Sequence, residues 1–98
     1  ILKNKNIFAL TVNGDSMTDA CIADGDMVLM EPINQPYSLR NGSIVSAMVP
    51  GMGTTLKYFF KRGKKIFLEA ANPNYEPIEL NTEDVIFQGK LLAVWRKV

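Results

Sequence analysis

The residues that can carry chemistry in this sequence are few, and Ser16 comes first. It sits in Asn13-Gly14-Asp15-Ser16-Met17, directly after the apolar run Ile7–Val12. A glycine at that point lets the backbone turn sharply, which exposes the hydroxyl and aims successive N–H groups at one spot. A serine nucleophile with a backbone oxyanion hole needs that arrangement. The same residues also make an ordinary polar turn. The chain has no His, so a base for Ser16 must be a Lys or a carboxylate.

Lys57 is the candidate base. It lies within the apolar run Leu56–Phe60. Strand alternation puts Thr55, Lys57 and Phe59 on one face and Leu56, Tyr58 and Phe60 on the other. A lysine desolvated among such neighbours has a lowered pKa and becomes usable as a base. The competing reading is a lysine on the wet face of a half-buried strand. Cys21, the single cysteine, lacks an activating histidine and reads as a plain core or surface thiol. It excludes an internal disulfide and a multi-cysteine zinc site. Asp24-Gly25-Asp26 offers too few oxygen ligands for a metal and reads as a tight turn. No metal site and no cofactor are expected.

The elements that must position these residues are short strands. Turn signals recur at Asn13-Gly14, Asp24-Gly25-Asp26, Asn41-Gly42, Pro50-Gly51, Arg62-Gly63-Lys64 and Asn72-Pro73-Asn74. Between them, β-branched and aromatic residues predict strands at Ile7–Val12, Met27–Glu31, Ser43–Val49, Thr55–Phe60, Lys65–Ala70 and Val85–Lys97, with Gly89 as a bulge or bend. One helical turn is expected around Met17–Ile22. Two hairpins join the third, fourth and fifth strands. In 98 residues, 47% hydrophobic and 21% charged, one mainly β domain with a real core is expected. Eleven Lys+Arg against ten Asp+Glu exclude a strongly basic nucleic-acid binder. Lys57, Lys61, Arg62, Lys64 and Lys65 form a basic cluster that keeps a hairpin tip solvated. No apolar run near the start is long enough to span a membrane. The lone thiol fits a reducing compartment, and a cytoplasmic location is expected. The sequence opens at Ile1 without an initiating Met, as expected for part of something longer.

Taken together, these residues resemble the LexA-type self-cleaving proteins, a family of LexA repressors, UmuD and similar phage repressors. The blocks are Gly14-Asp15-Ser16-Met17, Ile22-Ala23-Asp24-Gly25-Asp26-Met27-Val28-Leu29, Asn41-Gly42-Ser43-Ile44-Val45-Ser46-Ala47 and Thr55-Leu56-Lys57. Pro73-Asn74-Tyr75-Glu76-Pro77-Ile78 and Gly89-Lys90-Leu91-Leu92-Ala93-Val94 follow in the family's order. The resemblance covers roughly residues 7–98. It implies a compact, LexA/signal-peptidase-like catalytic domain of mostly antiparallel strands. Ser16 matches the nucleophile and Lys57 the general base, and the resemblance implies that the backbone N–H groups of Ser16 and Met17 hold the oxyanion. The implied substrate is the protein's own peptide bond, in a loop joining a DNA-binding domain to this one. Neither that domain nor the loop is in this sequence.

The resemblance further implies stimulation by RecA on single-stranded DNA, DNA contact only through the other domain, and no membrane partner. It also implies a homodimer through the last strand, around Lys90, Leu91, Leu92, Ala93, Val94, Trp95, Arg96 and Lys97. Leu91, Ala93 and Trp95 are expected on one face of that strand, which is expected to be a bare edge open to a second copy. The stretch Glu31–Arg40 and the Val49–Gly53 turn are longer than in the family's best-known members, as loop insertions. A UmuD-like polymerase subunit and a catalytically idle dimerisation module are the alternatives to a self-cleaving repressor domain.

Overall fold

The computed structural model of the chain describes residues 6–97. Seven strands form one antiparallel sheet: β1 (Phe8–Thr11), β2 (Met27–Pro32), β3 (Ser43–Val49), β4 (Gly53–Arg62), β5 (Lys65–Glu69), β6 (Ile78–Asn81) and β7 (Ile86–Trp95). Their order is β1-β2-β7-β3-β4-β5-β6. Three short 3-10 turns, at Thr18–Ala20, Pro36–Ser38 and Thr82–Asp84, are the helical elements among the described residues. The first of them is the helical turn expected after Ser16. The six expected strands are present, with ends shifted by up to two residues. β6 was not expected: it has only four residues, though Ile78-Glu79-Leu80-Asn81 does alternate inward and outward.

Each face of the sheet carries its own core. One gathers Val45, Ala47, Val49, Phe59, Ile66, Leu68 and Val85. The other gathers Met17, Ile22, Val28, Met30 and Ala71, flanked by Phe8, Leu10, Leu56 and Leu91. β3 is central and covered on both sides, so it reads as an almost unbroken apolar run. The β3–β4–β5 meander has the expected hairpins, with Val49 opposite Gly53 and Arg62 opposite Lys65.

β7 departs from expectation in three ways. It is not an edge strand, since it lies between β2 and β3. Its two halves are nevertheless one-sided: Ile86 and Phe87 pair with β3, Gly89 and Lys90 pair with both neighbours, and Leu91, Ala93, Val94 and Trp95 pair with β2, with Gln88 and Leu92 skipped. Among the described residues, no ladder occupies the other edge of 91–95. The strand also carries two register shifts. Met30 pairs with Leu91 but Leu29 pairs with Ala93, which leaves Leu92 as the extra residue. That bulge flips the parity, so Leu91 packs inward while Ala93 and Trp95 share the opposite face, contrary to the expected common face. Gly89 is not itself the extra residue. A Cβ there would stand 2.6 Å from Phe8 Cζ and 2.9 Å from Met30 Cβ, so the site needs glycine for close packing.

Candidate active site

Lys57 is delivered by the middle of β4, opposite Val45 on β3. It has the parity of Phe59, as alternation requires, and it is buried, with 8% of its surface exposed. The wet-face reading is therefore overturned, and Lys57 stands apart from the exposed Lys61, Arg62, Lys64 and Lys65. Burial pushes its amine below the usual lysine range, because the ammonium loses water.

Ser16 is delivered by the turn after β1. The Lys57 Nζ donates to Ser16 Oγ at 3.0 Å. It also donates to Thr55 Oγ1 at 2.6 Å and to the Leu56 carbonyl at 3.1 Å. Those three acceptors match the three protons of an ammonium. When the amine is neutral, Thr55 and Leu56 can hold its two remaining protons, and its lone pair then faces Ser16. Sequence reasoning placed Thr55 on the face of Lys57 but gave it no role. The signal was available, since residues two apart on a strand share a face.

The backbone around Ser16 is held from several sides. Gly14 N–H donates to Asp24 Oδ1 at 2.7 Å, and Gly25 N–H donates to the Val12 carbonyl at 2.8 Å. Asn72 Nδ2 donates to the Asp15 carbonyl at 2.8 Å, and Tyr75 Oη donates to Asp15 Oδ1 at 2.5 Å. The Asp15 carboxylate raises the Tyr75 pKa, first through that hydrogen bond and then through its charge. The Met17 side chain is buried beneath the turn. Among the described residues, the N–H groups of Ser16 and Met17 donate to no other protein group. In the sequence Asn72 and Tyr75 read as parts of a turn and of a motif, with nothing that signals a contact to Asp15.

A cleft of about 320 Å³ opens onto the pair. Its walls include Leu10 and Val12, Met17, Val28 and Leu56, with Thr55 and Lys57 at one side. β1 and β4 are not neighbours in strand order, so the sheet must curl for both to line it.

The other candidates lie elsewhere. Cys21 is exposed in a left-handed backbone conformation at φ 62°, and no hydrogen bond joins it to Ser16 or Lys57. Asp26 is a buried carboxylate that takes two bonds from Arg96, from Nε and Nη2, both at 2.7 Å. It also accepts Ala23 N–H at 2.8 Å. Arg96 donates further to the Cys21 carbonyl at 3.2 Å. Its guanidinium thus turns back onto its own chain. At the end of β7, Trp95 is 55% exposed and stands opposite Met27, itself 37% exposed. Leu92 and Val94 are each 40% exposed, and Lys90, Ala93 and Lys97 are exposed as well. Among the described residues, no helix is long and apolar enough to cross a membrane.

Comparison with known proteins finds relatives that match nearly the whole chain. The chain is 41% identical over 97 residues to the LexA repressor of Clostridium novyi (strain NT), covering 99% of this chain and 46% of that protein. It is 40% identical over 94 residues to the LexA repressor of Koribacter versatilis (strain Ellin345), covering 96% and 43%. It is 31% identical over 96 residues to the transcription regulator LexA of Synechocystis sp. (strain ATCC 27184 / PCC 6803 / Kazusa), covering 98% and 47%. The chain thus spans about half the length of these relatives. The family described as Peptidase S24-like matches residues 1–92, and the chain belongs to that family.

Proposed function

We propose that this chain is the catalytic and dimerisation domain of a LexA-type repressor, and that Ser16 and Lys57 form a self-cleaving serine–lysine dyad. The observation that carries the reading is the 3.0 Å contact between a buried lysine amine and a serine hydroxyl beside an open cleft. In the reaction, neutral Lys57 takes the Ser16 proton as Oγ attacks a peptide carbonyl. The N–H groups of Ser16 and Met17 receive the oxyanion. The Lys57 ammonium then returns its proton to the leaving amine, and an ester on Ser16 remains. Water, with Lys57 again as base, releases the new carboxylate.

The proposed substrate is the peptide bond in the linker to a DNA-binding domain, cut in response to RecA on single-stranded DNA in the cytoplasm. DNA is met only through that other domain. The protein works as a homodimer, joined at the end of β7, where Trp95 and Met27 are exposed and where, among the described residues, one edge of 91–95 is unladdered. The names of the relatives favour a repressor over a polymerase subunit. The test is to incubate the full-length protein at alkaline pH, with and without RecA filament. Two fragments should appear in the wild type and none in Ser16→Ala or Lys57→Ala. Cleavage that persists in either variant overturns the dyad.

A further inference from the structure

We infer that Asn72 is a positioning residue that aims the Ser16 N–H into the oxyanion hole; the inference rests on the dyad reading above. The Asp15 carbonyl and the Ser16 N–H belong to one peptide unit. That unit is planar and trans, so the two groups point in opposite directions. Whatever fixes the carbonyl therefore fixes the direction of the N–H. Asn72 Nδ2 donates to that carbonyl at 2.8 Å, across 57 positions of chain.

The orientation of the Asn72 amide is itself determined. Asn74 N–H donates to Asn72 Oδ1 at 2.9 Å. A backbone N–H can only donate, so the atom facing it is the oxygen and the nitrogen faces Asp15. The donor is also anchored at its base. The Asn72 carbonyl accepts Tyr75 N–H at 3.1 Å, and next to it the Ala71 carbonyl accepts Asp19 N–H at 2.7 Å. Segment 71–75 thus grips the chain on both sides of Ser16, at Asp15 and at Asp19. Hydrogen bonding at one end of a peptide unit polarises the other, so the Ser16 N–H becomes a better donor as well as a better aimed one.

Tyr75 holds Asp15 differently. Its hydroxyl takes the side chain and leaves the peptide plane alone. The two contacts can therefore be separated by mutation. Asn72→Ser keeps an oxygen able to accept Asn74 N–H, as serine does in such turns, but it is too short to reach the Asp15 carbonyl. It is also neutral, so it places no new charge near Lys57.

The experiment compares self-cleavage of full-length Asn72→Ser, Asn72→Ala and Tyr75→Phe with wild type across pH, alongside thermal melts. It also follows the Ser16 amide resonance by nitrogen-15 NMR. Asn72→Ser and Asn72→Ala should lower the plateau rate by roughly 10- to 100-fold. The pH midpoint should stay where Lys57 sets it, and the Ser16 amide resonance should move. Tyr75→Phe should lose less. A wild-type plateau in both Asn72 variants overturns the inference. So does a loss that merely follows the unfolded fraction while the Ser16 resonance stays put. If wild type and Ser16→Ala are equally inert, the dyad reading fails, and the Ser16 resonance still decides whether Asn72 sets that peptide.

Discussion

Ser16 and Lys57 lie 41 positions apart in sequence, yet the Lys57 amine donates to the Ser16 hydroxyl at 3.0 Å. The lysine comes from a strand covered on both flanks, and the serine from a turn tied down by Asp24 and Asn72. Neither can move far without breaking a ladder or a turn. The pair is built before any substrate arrives, which lowers the entropy cost of the reaction.

The first prediction is the pH profile. Only neutral Lys57 can take a proton, and burial holds its pKa below the ordinary 10.5. Self-cleavage should rise about tenfold per pH unit and level off once the amine is neutral. The plateau should begin below pH 10.5. Lys57→Arg should be inert throughout, because a guanidinium keeps its proton. The linked stability change has a definite sign. Between the lowered folded value and 10.5 the unfolded chain binds the extra proton, so stability rises with pH in that window. Cleavage assays and urea midpoints at matched pH values check both statements.

Thr55 is predicted to orient that amine. Thr55→Val keeps the shape and removes the acceptor at 2.6 Å from Nζ. The plateau rate should fall by about tenfold, on the scale of one hydrogen bond to a charged group. The midpoint should move to lower pH, because the ammonium loses a partner while the neutral amine loses less. An unchanged plateau with an unchanged midpoint would show that Thr55 only fills space.

The order of events along the chain was readable where local chemistry is strong. Alternation through Thr55–Phe60 gave the Lys57 face, and Arg62-Gly63 gave the β4–β5 turn. The block resemblance gave the pairing of Ser16 with Lys57, which position alone left open. What stayed hidden depended on contacts between distant segments. Asn72 reads as a turn residue until the Asp15 carbonyl is beside it. Arg96 reads as an interface residue until Asp26 is found buried and waiting for it. The reversal of Leu91 against Trp95 comes from the bulge at Leu92, set by the ladder with β2 rather than by β7's own residues. β6 is hidden in the sequence because four residues after a proline carry a weak signal.

Trp95 is predicted to anchor the dimer. It pairs across the ladder with Met27, and both are exposed on one face of the sheet. Paired aromatic and methionine side chains at a surface are the composition of an interface centre. Trp95→Ala should weaken self-association at least about tenfold, the effect expected of a hot-spot truncation. Sedimentation over a concentration series measures it. A purely monomeric wild type at high micromolar concentration counts against the dimer itself.

Gly89 is predicted to be intolerant for steric reasons. An alanine methyl would have to displace the Phe8 ring and Met30 Cβ, which lie 2.6 and 2.9 Å from its position. Phe8 is on the sheet-edge strand β1, so it can shift partly, whereas Met30 is fully buried in β2. Gly89→Ala should cost about 1–3 kcal/mol of stability, the usual range for overpacking. Phe8→Leu, by removing the ring, should recover part of that loss in the double variant, as contacting sites are not additive.

The last prediction concerns acid. Arg96 holds the Asp26 carboxyl down from 3.8 to about 2, chiefly by hydrogen bonding, with help from the Ala23 N–H. A depressed carboxylate stabilises the fold fully above its unfolded value. That contribution is lost as pH falls from about 3.8 through about 2. Arg96→Ala takes the cation away from a carboxylate that is 3% exposed in the intact protein. Its pKa should rise, and the urea midpoint at pH 7 should fall well below wild type, because an unpaired buried charge is costly. The deficit should shrink as pH falls toward and below about 2, because the variant's Asp26 is protonated first and wild-type Asp26 is half protonated only at about 2. Asp26→Asn combined with Arg96→Ala should lie closer to wild type at pH 7 than Arg96→Ala alone, since the stranded charge is gone. The clip joins the end of β7 to the 21–26 turn, which in turn holds Gly14 through Asp24. Arg96→Ala should therefore also slow self-cleavage while leaving its pH midpoint in place. A full wild-type rate together with a lowered urea midpoint would confine Arg96 to stability alone.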